Sequence, residues 1–120
     1  MQTFYNAIKK EIEMVKGDSM AFNFQLAGLS GMEVKEISFT CKDKPSDEEY
    51  YFKQSLTGGG ITLQGYDQET DTATYCVRVR PDQTRNIEPA RYYYDLELQV
   101  GDDVLTLMKG RLTLDYDVTN

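Results

Sequence analysis

The sequence contains no histidine and no tryptophan, and only two cysteines and three prolines among 120 residues. Without histidine, Ser-His-Asp and Cys-His nucleophile systems and most catalytic zinc centres are excluded. Two cysteines, Cys41 and Cys76, fall short of a structural zinc site. No run approaches the ~20 apolar residues that a membrane span needs, so no membrane partner is expected. The opening stretch, Met1 to Val15, carries Lys9, Lys10, Glu11 and Glu13 where a signal peptide would be apolar. Synthesis in the cytoplasm is therefore the expectation.

Hydrophobic residues at 40% and charged residues at 28% describe an ordered globular chain, and its length suits one domain over residues 1–120. Nine tyrosines and five phenylalanines favour strands and half-buried surfaces. The net charge of −7 repels nucleic acid. The densest basic stretch, Arg78, Arg80, Arg85 and Arg91, is broken by Asp82 and Glu88. No nucleic-acid partner is expected.

Apolar and polar residues alternate through Met20–Leu26, Val34–Cys41, Ile61–Tyr66, Ala73–Arg80 and Tyr92–Val100, the period of half-buried strands. Tyr50–Ser55 has β-like composition. Ile8–Val15 fits a strand, with a helical N-terminal arm over residues 1–10 as the competing reading. Turns are expected at Lys16-Gly17-Asp18, Gly58-Gly59-Gly60, Asp67–Asp71 and Gly101-Asp102-Asp103, and one helical turn after Pro81. In the last third, Tyr92, Tyr94, Leu96, Leu98 and Val100 share one face, and Tyr93, Asp95, Glu97 and Gln99 the other. The return strand changes apolar parity between Leu107 and Leu112, which places a β-bulge beside Gly110. Seven or eight short strands ending in a long hairpin indicate an all-β antiparallel sandwich or barrel.

Alternation sets Cys41 beside Ile37 and Phe39 on a core face, and Cys76 beside Arg78 and Arg80 on a wet one. Two free thiols are expected. Asp102, Asp103, Asp115 and Asp117 sit at turns or solvent-facing positions, which suits solubility better than acid–base catalysis. Asp67–Asp71 lacks the spacing of a calcium loop, and Gly58-Gly59-Gly60 lacks the lysine of a phosphate loop. Neither a metal nor another cofactor is expected. The residues singled out as an interaction surface are Tyr50, Tyr51 and Tyr93, where aromatic rings can anchor a protein partner or stack on a sugar.

The segments Tyr92-Tyr93-Tyr94-Asp95-Leu96-Glu97-Leu98, Leu107-Met108-Lys109-Gly110-Arg111-Leu112-Thr113-Leu114 and Asp117-Val118-Thr119 form one pattern. It resembles the end of the N-terminal domain of baseplate upper proteins, from tailed phages of Gram-positive bacteria. Lys16-Gly17-Asp18-Ser19, leading into Phe22 and Phe24, is similar to the start of that domain. The resemblance runs from about Glu11 to Thr119, and its motifs are turns and core positions rather than a catalytic signature. It implies an immunoglobulin-like sandwich and a non-enzymatic phage or prophage structural role in the tail or baseplate. The implied partner is a larger tail or baseplate protein, or another copy of the chain, and the implied later location is the virion. Those phage proteins usually continue into a longer binding region, and their partner contacts are not written in a motif, so no binding residue is carried over. The outward side of Tyr92–Val100 is polar, so small or edge-mediated contacts are expected. Two other roles compete: a carbohydrate- or protein-binding module using the three tyrosines, and a carboxylate-based hydrolase. The hydrolase would need two acids facing one cleft, which the alternation is not expected to place.

Overall fold

Alternating apolar residues build two sheets that face each other. The structure, a computed structural model, describes residues 8–116. The larger sheet begins with two short segments, β1 (Ile8–Lys9) and β2 (Ile12–Val15). Both run parallel to the last strand, β9 (Asp103–Asp115). Across that sheet follow β8 (Ala90–Val100), β4 (Val34–Lys42) and β5 (Phe52–Ser55), each antiparallel to its neighbour. The smaller sheet holds β3 (Met20–Ala27), β7 (Thr72–Val79) and β6 (Ile61–Asp67), in that order and antiparallel.

This order, β9-β8-β4-β5 against β3-β7-β6, is the immunoglobulin one: G-F-C-C′ packed on B-E-D. A second hallmark accompanies it. The Tyr92 hydroxyl, near the start of β8, donates to the Glu88 carbonyl, which is the tyrosine corner of such domains. The fold is an immunoglobulin-like β-sandwich.

Residues 1–7 lie outside the described part, and with them most of the N-terminal arm reading. From Ile8 the backbone is strand. It departs from the all-antiparallel expectation because β1 and β2 enter along β9 in the same direction.

Between the sheets, Phe39 meets Phe22 edge-on at 5.4 Å, Tyr94 at 5.5 Å and Phe52 at 6.1 Å. Tyr94 stands two residues after the corner tyrosine, where antibody domains carry the second cysteine of their inter-sheet disulfide. Here rings occupy that place. Each such pair adds about 0.5–1.5 kcal/mol beyond its buried area. Cys41 faces this core and is buried, whereas Cys76 lies on the outer face of β7, and both are free. Burial pushes the Cys41 thiol up to about 12.

The second link between layers is polar. Gln54 on β5 and Gln83 exchange amide hydrogen bonds at 2.8 and 2.9 Å, and Gln54 also donates to the Arg78 carbonyl on β7. Gln83 belongs to the single helical turn α1 (Pro81–Thr84), which follows Pro81 as expected. The buried Thr84 hydroxyl accepts the Gly17 amide at 2.9 Å, which docks the Lys16-Gly17-Asp18 turn onto α1.

The expected bulge beside Gly110 lies three residues earlier. Leu96 pairs with Met108 and Glu97 with Thr106, leaving Leu107 as the extra residue of β9. That insertion shifts the parity, so Leu107 and Leu112 are both buried. Gly110 serves a close approach of two backbones instead, since a Cβ there would sit 2.3 Å from the Lys10 carbonyl oxygen. The same carbonyl accepts the Tyr94 hydroxyl at 2.7 Å. The bare glycine lets the break between β1 and β2 drop onto the sheet where that bond forms.

Gly110→Ala is expected to cost about 1–3 kcal/mol, the range of overpacked core positions, because the clash is with backbone. A urea unfolding curve with an unchanged midpoint would show that the β1–β2 break yields without penalty.

Candidate functional site

The outward residues of the larger sheet form rows across the strands. One row runs Lys109, Asp95, Thr40, Lys53, and the next Arg111, Tyr93, Lys42. The 43–50 loop rises beside them, closed by mutual bonds between Lys44 and Asp47. A hollow of about 400 Å³ results, with Thr40, Lys42, Tyr93, Asp95 and Arg111 below and Pro45 at its wall. A smaller one of about 220 Å³ shares Thr40, Lys42 and Asp95 and adds Glu48, Tyr50 and Glu97. Tyr93 and Tyr50 thus mark the two ends of one shallow trough centred on Asp95.

Tyr93 points outward as expected but is not a free anchor. The Arg111 guanidinium lies 4.1 Å from its ring centroid and donates to its hydroxyl at 3.3 Å. Arg111 also donates to the Tyr92 and Arg91 carbonyls at 3.2 and 3.0 Å, so the cation is held over the ring. Tyr50 is 55% exposed, with the Lys53 ammonium 5.9 Å from its ring. Tyr51 leaves this group. Its ring packs 4.8 Å from Tyr92 and is 47% exposed. The structure therefore brings Tyr50 and Tyr93 to one trough and separates Tyr51 from them.

Sequence reasoning passed over Asp95, although the alternation had set it beside Tyr93. Burial raises the Asp95 carboxyl above the usual carboxylate range, while Lys42 and Lys53 pull it back down. Asp95 and Glu97 both line the smaller hollow, which corrects the expectation that no two acids face one cleft. As i and i+2 residues of a strand their Cα atoms stand roughly 7 Å apart. Both remain open to water, with Lys42 and Lys53 beside them in the same hollow. The trough can hydrogen-bond a polar ligand through alternating acceptors and cations.

The other acidic candidates do not gather. Asp103 and Asp115 stand at opposite ends of β9, and Asp117 lies outside the described residues. Asp71 accepts the Tyr66 hydroxyl at 2.6 Å and the Ser30 amide at 3.1 Å, while Asp67 accepts the Glu69 amide at 2.9 Å. Among the described residues, no group of three potential ligands is placed to hold a metal ion. The basic residues are dispersed too: Arg91 pairs with Glu11 at 2.7 Å and Arg80 with Asp82 at 3.4 Å.

A second opening was not foreseen. Among the described residues the larger sheet offers five strand positions and the smaller one three, with β3 at the edge of the smaller. A groove of about 540 Å³ lies there, lined by Ile12, Phe22, Phe24, Leu96, Leu107 and Met108. At the far end, a hollow of about 310 Å³ is rimmed by Leu63 and Tyr66 of β6, which are 55% and 52% exposed. No described helix is long and apolar enough to cross a membrane.

Comparison with known proteins adds to the fold alone. No protein-family model matches the sequence, and no curated protein matches it. Among solved structures, the chain is similar to part of a family 123 glycoside hydrolase from Clostridium perfringens, with a TM-score of 0.55 and 11% identity. That match covers 97% of this chain but 24% of the enzyme. Murine CRIg matches with a TM-score of 0.40 and 10% identity, over 89% of this chain and 92% of that one.

Asp95→Asn tests the electrostatics of the trough. A carboxyl whose folded pKa is raised binds its proton more tightly when folded, so stability falls as pH rises from about 3.9 through the folded value. The variant, neutral throughout, is expected to be more stable than the parent at pH 7, by less than about 1 kcal/mol after solvent screening. The gain should vanish toward pH 3.5 in paired thermal melts. A gain that is constant with pH would remove the desolvation argument.

Proposed function

We propose that this protein is a non-enzymatic assembly module of a phage or prophage tail or baseplate, docking on a larger tail protein. The observation that carries the reading is the apolar groove of about 540 Å³ beside β3, the outermost described strand of the smaller sheet. A groove lined by apolar side chains suits contact with another polypeptide better than chemistry on a small molecule. The resemblance of the Tyr92–Leu98 and Leu107–Leu114 segments to baseplate upper proteins supports the tail setting. Those segments form one continuous hairpin, and the Lys16–Ser19 element is tied to α1, so the pattern coincides with what holds the sandwich together. On this reading the chain is made in the cytoplasm and ends in the virion.

The expected result is that the chain appears in purified, induced particles of the source strain at a fixed ratio to other tail proteins, by quantitative mass spectrometry. Particles that lack it while the cytosol contains it would sink the tail role.

The trough favours a second reading, a carbohydrate-binding module, because Tyr50, Tyr93, Asp95 and several cations share one face. On this reading, titration with cell-wall oligosaccharides should shift the amide resonances of Tyr93 and Asp95. Tyr50→Ala should weaken that binding several-fold, in keeping with the weight of an exposed aromatic anchor. Flat titrations at millimolar sugar would leave the trough as a solvated charged face.

A further inference from the structure

The chain carries a net charge of −7, yet one end of the trough over Asp95 is cationic. The hollow at the Tyr93 end is lined by three cations, Lys42, Lys109 and Arg111, and by one carboxylate, Asp95. The hollow at the Tyr50 end reverses the balance, with Glu48, Asp95 and Glu97 against Lys42 and Lys53. Strand register produces the cationic end. Lys42 and Arg111 flank Tyr93 on the strands to either side, and Lys109 lies opposite Asp95. Arg91 and Arg80 are paired with Glu11 and Asp82, whereas none of these three cations is in an ion pair among the described residues.

Donors without a partner gather at this end. A guanidinium has five N–H donors. Arg111 uses three of them, on the Tyr92 carbonyl, the Arg91 carbonyl and the Tyr93 hydroxyl, so each terminal nitrogen keeps one. The Tyr93 hydroxyl accepts its bond from Arg111, and its own O–H has no acceptor among the described residues. The three bonds hold the guanidinium in place 4.1 Å from the ring centroid, so little further ordering is needed to bind an anion. A fixed guanidinium, a phenol O–H and two ammonium groups together suit an oxyanion, through charge-assisted hydrogen bonds.

We infer that the Tyr93 end of the trough is an oxyanion site, and that its ligand is a saccharide bearing a phosphate ester or a carboxylate. The sugar body extends toward Tyr50, where Glu48 and Glu97 accept from its hydroxyls. The same two carboxylates repel an acidic peptide, whose further charges would run against them. Hollows of about 400 and 220 Å³ that share Thr40, Lys42 and Asp95 suit a ligand of roughly one or two sugar rings. Asp95 stands beside the bound charge and opposes it, so its neutralisation strengthens the site. This narrows the ligand of the second reading above, on which it rests, from any sugar to an anionic one.

The test is amide NMR titration of the full chain with glucose 6-phosphate, glucuronate, glucose, inorganic phosphate and a capped tetraglutamate peptide. Glucose 6-phosphate or glucuronate should shift Lys42, Tyr93 and Asp95 saturably, with an affinity roughly ten-fold above that of glucose. The tighter of the two identifies the anionic group. Lys109→Gln should weaken this binding several-fold. Asp95→Asn should strengthen it, whereas a neutral sugar bonded to Asp95 would be held less tightly by that variant. Lys109 is exposed and Asp95→Asn is expected to stabilise the chain, so neither change threatens the fold. Other results overturn the inference. Glucose binding as tightly as the anionic sugars at the same residues keeps the carbohydrate reading and removes the oxyanion site. Inorganic phosphate binding as tightly as glucose 6-phosphate means an adventitious ion only. Tetraglutamate binding as tightly means an acidic peptide, and Tyr93 shifts that grow with protein concentration alone mean a second copy. No shift with any probe at millimolar concentration removes the site and the carbohydrate reading together.

Discussion

The sandwich depends on Phe39 and the rings gathered around it. Phe22 comes from the smaller sheet, and Tyr94, Phe52 and Phe39 itself from the larger one, so this cluster joins the two layers at their centre. In disulfide-bearing domains of this fold a covalent bridge joins the layers instead, typically for about 2–4 kcal/mol. Here the Phe22–Phe39 contact crosses between the layers, and truncating a buried phenylalanine such as Phe39 usually costs about 3–5 kcal/mol, a comparable amount. A chain with its two cysteines on different faces can therefore hold an immunoglobulin-like fold without joining them.

Tyr94 extends this centre outward. Its ring lies in the cluster, and its hydroxyl reaches the Lys10 carbonyl across the space that Gly110 leaves open. The core thereby anchors the start of the described chain to the larger sheet, and β2 follows along β9 from that point. Ile8–Lys9 and Ile12–Val15 thus belong to the larger sheet, and among the described residues the smaller sheet has three strands. The groove beside β3 lies between these pinned segments and the smaller sheet, with Ile12 among its lining.

The two candidate surfaces follow from this asymmetry in different ways. The trough over Asp95 is a surface of side chains, with Tyr93 shielded by Arg111 and Tyr50 exposed at the other end. Its interactions are screened by water. The groove beside β3 is a surface of apolar side chains, and covering it removes them from water. An assembly role draws on the second kind of surface, and a ligand-binding role on the first.

Much of the fold is legible in the residues. Alternation identifies the core faces of β3, β4, β7 and β8, the opposite orientations of Cys41 and Cys76, and the helical turn after Pro81, because a period of two directly encodes which side is buried. The bulge is legible as a change of parity but points to Gly110 rather than Leu107, since a glycine can mark either a bulge or a close approach and the pattern is the same. Tyr50 and Tyr93 stand out as candidate rings, yet the Arg111 cap on Tyr93, the packing of Tyr51 on Tyr92 and the Glu48 and Tyr50 wall beside Asp95 and Glu97 involve residues distant in the chain. By itself the sequence determined the strands, their inward faces and the absence of histidine chemistry, all of which are local properties of residue type and period. Only the tertiary structure decided which sheet Ile8–Lys9 and Ile12–Val15 join, because strand order depends on competition among distant segments for the same neighbours.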